Sequence, residues 1–268
     1  MSACALLTAA RRCLEACDPA AKVALTHETA RRIGCGELRR EDPGGHRPAD
    51  VPGRPARPVL VAPRELAQRS LDHPAGRAAL MHAVAHIEFN AINLAWDAVQ
   101  RFTAMPGGFA RDWARVADDE ARHFMLLRGR LQALGYDYGD FPAHDGLWTM
   151  ARATADDPLA RMALVPRVLE ARGLDVTPGM IERLERAGDA ETAACLGIIL
   201  REEVDHVAIG SRWFRWLCEQ RDLPPRETYF RLLGEHMGGR IRCPLNRPAR
   251  LAAGFDEAEL ARLEALCR

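Results

Sequence analysis

The sequence predicts an all-α protein: a body of four long helices set between additional N-terminal and C-terminal helical segments. Three observations carry this. Long stretches repeat apolar residues at helical spacing, no run alternates like a strand for long enough to build a sheet, and Pro- and Gly-rich segments punctuate the periodic ones. With 48% of its 268 residues apolar, the chain can bury a sizeable core.

Residues 1–40 predict two short helices, broken at "DPAAK" and ended by the glycines of "IGCGEL". The segment "EDPGGHRPADVPGRPARPVLVAP" cannot be regular helix. The apolar residues of "PVLVAP" suit an extended connection lying across the body, with a flexible linker as the alternative. The first long helix spans 75–103 and stops at "MPGG"; the second spans 109–134 and ends at "LGYDYGD". A structured crossing loop, "YDYGDFPAHDGLW", follows. The third helix, 158–172, holds Pro166, where a kink is expected. After "GLDVTPGM" a short helix leads to the fourth long helix, 189–220. A helix near 225–236, a Gly/Pro-rich stretch and a terminal helix at "DEAELARL" complete the chain. The expected organisation is 1–74 for N-terminal helices and connection, 75–222 for the four-helix body, and 223–268 for a C-terminal helical extension.

Lys plus Arg balance Asp plus Glu at 37 each, so no overall field favours nucleic acid or acidic lipid. Lys22 is the only lysine, which reads as genomic codon bias. On the second helix Arg111, Arg115, Arg122, Arg128 and Arg130 are offset by Asp112, Asp118 and Asp119, a solvated face that predicts weak nucleic-acid binding. The eight cysteines form no C-x-x-C and no zinc-ribbon spacing. With no signal-peptide order and no segment near the roughly 20 apolar residues of a membrane span, a soluble cytoplasmic protein with reduced thiols is expected.

At about 100° per residue, Glu120 falls in the middle of an apolar stripe that includes Trp113, Val116, Phe124, Leu127 and Leu131, with His123 on its edge. The fourth helix repeats this: Leu196, Ile199, Val207, Phe214 and Leu217 flank Glu203, and His206 takes the equivalent edge. Glu88 lies mid-arc on the first long helix, and Glu170 shares its side with Leu159, Ala163 and Pro166. Glu88 precedes Glu120 by 32 residues and Glu170 precedes Glu203 by 33. One Glu from each of two helices plus a Glu-x-x-His from each of the other two is the ligand set of a di-iron or di-manganese carboxylate bundle. The chemistry accounts for the residue types. A buried carboxylate costs several kcal/mol unless compensated, and two divalent cations offset four carboxylate charges while neutral imidazoles suit iron or manganese. Glu88, Glu120, His123, Glu170, Glu203 and His206 are therefore the candidate metal ligands.

Other residues read more blandly. His82 and His86 lie roughly 120–160° from Glu88 by the same wheel, as polar-face histidines or as the lining of a groove under the N-terminal segment. His144 and Asp145 close turns or gate a cavity, Asp205 is solvated, and Trp213 packs.

The run "HIEFNAINLAWDAVQRF…DWARVADDEARHF…LGYDYGDFPAHDGLW…LARMALVPRVLEARGLDVTP…IILREEVDHVAIGSRWF" resembles an uncharacterised family of bacterial ferritin-like proteins, a domain of unknown function, over nearly the whole chain. The resemblance implies a ferritin-like four-helix fold and supports the same six ligand positions. Asp205 departs from the family pattern, which has a small residue before the histidine. A more distant similarity to the ferritin-like hydroxylase of a modified tRNA adenosine implies oxygenation. The expected cofactor is two Fe ions, with Mn/Fe or Mn/Mn as alternatives. The expected partners are O₂, an unidentified substrate and an electron donor. Iron handling by a ferroxidase or storage protein and a metal-free helical scaffold are the competing functions.

Overall fold

The computed structural model describes residues 6–38, 46–67, 70–239 and 241–267. Cys4 and residues 41–45 of the Pro/Gly-rich connection lie outside the described residues. Among the described residues the protein is all-helical, with two isolated β-bridges and no strand. Among the same described residues no helix is long and apolar enough to cross a membrane. The chain forms two compact units, Met1–Trp148 and Thr149–Arg268, and passes from one to the next within a short helix, Gly146–Ala153 (α5).

The first unit holds α1 (Leu6–Glu15), α2 (Pro19–Gly34), α3 (Pro74–Arg101) and α4 (Gly107–Ala133). Asp18 caps α2, its carboxylate accepting the Ala21 N–H at 2.8 Å with Pro19 next in line, so the break at "DPAAK" is a helix start. Helices α3 and α4 form a hairpin; α1 packs on α3 and α2 on α4. From Phe89 to Gln100 every residue of α3 is buried, because partners cover it on more than one face. Lys22 is fully buried, its ammonium donating to the carbonyls of Cys13 and Leu14 at 2.8 and 2.7 Å, in the last turn of α1.

The Pro/Gly-rich connection is a strap. Gln100 grips Ala49 by accepting its N–H at 3.1 Å and donating to its carbonyl at 3.3 Å. Gly53 donates to Leu14 O at 2.8 Å, and a Cβ there would meet Glu15 O at 2.1 Å, so the approach requires glycine. Ala143 donates to Val59 O at 3.0 Å and accepts from Val61 N at 2.8 Å. The extended reading holds; the linker alternative does not.

The second unit holds α6 (Pro158–Leu164), a π turn (Val165–Glu170), α7 (Ala171–Arg186), α8 (Ala190–Gln220), α9 (Pro225–Met237), α10 (Arg247–Ala252) and α11 (Glu257–Ala265). Two expectations are corrected here. The third long helix does not end near residue 172; it runs through "GLDVTPGM" to Arg186. Pro178 cannot donate to Leu174 O, but the Asn246 side chain does so at 3.0 Å, which lets the helix continue. At Pro166 the helix widens into a π turn, and the ring packs where only a glycine fits: a Cβ on Gly210 would lie 2.3 Å from Pro166 Cβ. The thiols are corrected too. Cys243 and Cys267 form a disulfide, with Cα atoms 5.6 Å apart beside the Ile241–Cys267 bridge, while Cys13, Cys17, Cys35 and Cys218 are free thiols.

Candidate metal centre

The α3–α4 hairpin sets Glu88 on one arm against Glu120 and His123 on the other. Nδ1 of His123 lies 3.3 Å from Glu88 Oε2 and 3.5 Å from Glu120 Oε2. Each of the three offers a ligand atom, all within 4.8 Å of one another, so the group could hold a metal ion. All three are buried: Glu88 is 4% exposed, Glu120 1% and His123 0%. Burial opposes charge on His123, but hydrogen bonds and charge from Glu120 and Glu88 outweigh it and push its pKa up to about 11. The donor set, two carboxylates and an imidazole in a water-poor core, suits a hard or borderline divalent cation. Aromatic rings wall this region. Phe89 and Phe124, chain neighbours of Glu88 and His123, lie 5.4 Å apart, and Tyr138 stands edge-on to Phe124 at 5.0 Å.

The second unit carries the matching motif. His206 Nδ1 lies 3.4 Å from Glu203 Oε1 one turn earlier on α8; the imidazole is buried and the Glu203 side chain 12% exposed. Glu170 is the last residue of the π turn and half-buried, with Oε2 buried. The wheel that places it beside Leu159, Ala163 and Pro166 assumes an unbroken α-helix, and the π turn adds a change of phase within that stretch.

His82 and His86 are corrected as well. Neither is on a solvated face; they are 0% and 5% exposed. His82 Nε2 accepts the Gly139 N–H at 2.9 Å. Nδ1 of His86 meets the Tyr138 hydroxyl at 2.9 Å and its Nε2 lies 3.2 Å from His144 O. Burial pushes both imidazoles down to about 4, so they are neutral. His86 and His144 line a pocket of about 160 Å³, roofed by Leu66, Phe141 and Leu147, on the first unit. His144 closes a turn by accepting the Gly146 N–H at 3.1 Å, and Asp145 pairs with Arg54. Asp205 is exposed, and Trp213 packs on Trp216. Arg122 and Arg128 pair with Asp119 and Asp137, as a solvated face requires.

Sequence reasoning missed Tyr138, whose signal was an aromatic in the "YDYGD" loop, and the buried arginines Arg167 and Arg250, whose signal was the proline beside the first of them.

Comparison with known proteins adds the family. The model described as "Protein of unknown function (DUF455)" matches residues 15–261. An uncharacterized protein of Haemophilus influenzae is 46% identical over 213 residues, covering 77% of this chain and 74% of that one. No solved structure matches.

Proposed function

We propose, for a chain that belongs to the DUF455 family, that it is a dimetal-carboxylate protein whose metal ligands are Glu88, Glu120 and His123 in the first unit and Glu170, Glu203 and His206 in the second. One Glu from each of two helices plus a Glu-x-x-His from each of two others is the ligand set of the ferritin-like dimetal carboxylate proteins. One observation carries the reading: a Glu-x-x-His with a buried imidazole, its two side chains already within 3.5 Å, occurs once in each unit. Two iron ions, or manganese in place of one or both, would supply redox chemistry toward O₂. The proposed activity is oxidation or hydroxylation of a substrate by an O₂-activating oxidoreductase, with an electron donor as partner.

The chain's own residues have defined tasks in this reading. Glu88 and Glu120 supply anionic oxygens whose burial would otherwise cost several kcal/mol. His123 and His206 bind through neutral nitrogens, so metal uptake displaces a proton from His123. The rings of Phe89, Phe124 and Tyr138 limit water near the hairpin's donors.

The test is metal analysis of protein purified without added metal, then anaerobic Fe(II) loading and an optical spectrum on admitting O₂. Two irons per chain, with absorbance beyond the protein band that disappears in Glu120→Ala, support the proposal. Wild type and Glu120→Ala alike in retaining no metal would favour the scaffold reading. A shell-sized assembly on gel filtration would favour iron storage.

A further inference from the structure

The π turn that ends in Glu170 is gripped from several sides by the C-terminal segment, and the grip centres on Arg167. Its side chain is 1% exposed, a rare place for a guanidinium. Nη2 donates to both oxygens of Glu259 on α11, at 2.9 and 3.0 Å. Nε and Nη1 have no hydrogen-bond partner. Three aromatic faces surround the guanidinium instead, with its central carbon 4.9 Å from the Phe214 ring centroid, 4.4 Å from Tyr229 and 4.5 Å from Phe255. The backbone of the same residue is held as well: the Tyr229 hydroxyl donates to Arg167 O at 3.2 Å. Glu259 is fixed in turn, because Oε2 accepts the Asp256 N–H at 3.0 Å within the capping box of α11.

A buried ion pair adds little net stability over well-packed apolar side chains of the same volume. Stability therefore does not account for a charge set among three rings inside a π turn. A fixed geometry does, since the guanidinium fork, the hydroxyl and the rings together define one backbone path. The packing of Pro166 against Gly210 of α8 adds a further stop on the same turn. Glu170 follows Arg167 by three residues, so whatever sets this turn sets the direction of its carboxylate.

We infer that Arg167, Glu259 and Tyr229 are positioning residues that aim the Glu170 carboxylate at a metal ion, so that the C-terminal helices α9 and α11 are part of the metal centre's second layer. The inference rests on Glu170 being a metal ligand, as proposed above. Tyr229→Phe removes one hydroxyl and keeps its ring in the cage. Glu259→Gln keeps an oxygen for the capping box and leaves the guanidinium without its counter-charge.

The experiment is Co(II) titration of the full chain, reading stoichiometry, affinity and the visible ligand-field spectrum, with apoprotein melting measured beside it. The variants are Tyr229→Phe, Glu259→Gln, Glu170→Gln and Glu120→Ala. The expected result is two Co(II) ions in wild type, with Tyr229→Phe and Glu259→Gln moving the bands toward those of Glu170→Gln and weakening one ion at least tenfold. Wild-type bands and affinity in both variants, even with a lower melting temperature, would mean a structural role only and overturn the inference. An unchanged spectrum in Glu170→Gln combined with loss in Glu120→Ala would overturn it while leaving the metal site standing. Wild type that binds no Co(II) would overturn the metal reading and this inference with it.

Discussion

Lys22 buries an ammonium against two carbonyls, and burial lowers its pKa from the usual value to about 7. The sign follows from linkage. Above pH 7 the folded chain releases this proton while the unfolded chain keeps it, so stability rises with pH and the contribution is lost as pH falls through 7. Urea unfolding should therefore show a gain of up to roughly 1.4 kcal/mol per pH unit between about pH 7 and 8.5, before thiols of the unfolded chain titrate. Lys22→Met should remove that component; a slope identical to wild type would contradict the account. At the same scale the sequence was uneven. Glu88, Glu120 and His123 were legible because an ionisable residue inside an apolar stripe stands out on a wheel. His82 and His86 were misread because a wheel gives an angle and not what covers it, and the far face of α3 is covered by the Gly139 and His144 region of the loop. Lys22 looked like codon bias because its carbonyl partners are backbone, which a side-chain pattern does not show.

Helix lengths follow from caps and from what happens to orphaned backbone groups. Pro178 reads as a terminator, and α7 passes through it because Asn246, 72 residues away, supplies the missing donor. Asn246→Ala should leave Leu174 O without that bond and lower stability by about 1–3 kcal/mol, checked by denaturant midpoint. Gly210→Ala should push Pro166 out of its seat, costing about 1–3 kcal/mol. Its diagnostic companion is slower amide exchange lost around residues 165–170; unchanged protection there would argue against the wedge. The Cys243–Cys267 bridge closes a 24-residue separation, so Cys243→Ser should cost roughly 3 kcal/mol by loop entropy. None of these three contacts has a local signature, since each joins segments far apart in sequence. By contrast the starts of α2, α8 and α11 are set locally, each by an Asp whose side chain accepts a backbone N–H.

For the whole molecule, the all-α class was readable from periodicity alone. The division at Trp148 and Thr149 was not readable, because α5 runs through it without a Pro/Gly break. Metal binding to the native state should stabilise the chain by mass action, by about 2.7 kcal/mol at a free concentration of one hundred times the dissociation constant. Differential scanning calorimetry of wild type and Glu120→Ala with and without Fe(II) under anaerobic conditions checks this; equal shifts in both proteins would point to binding elsewhere. The lone lysine has one more consequence. Amine-acylating reagents have a single side-chain target in this sequence, and the native fold shuts it away. Each modified Lys22, counted by mass spectrometry over time, therefore records one opening of the first unit, giving the protein an intrinsic clock for its own breathing.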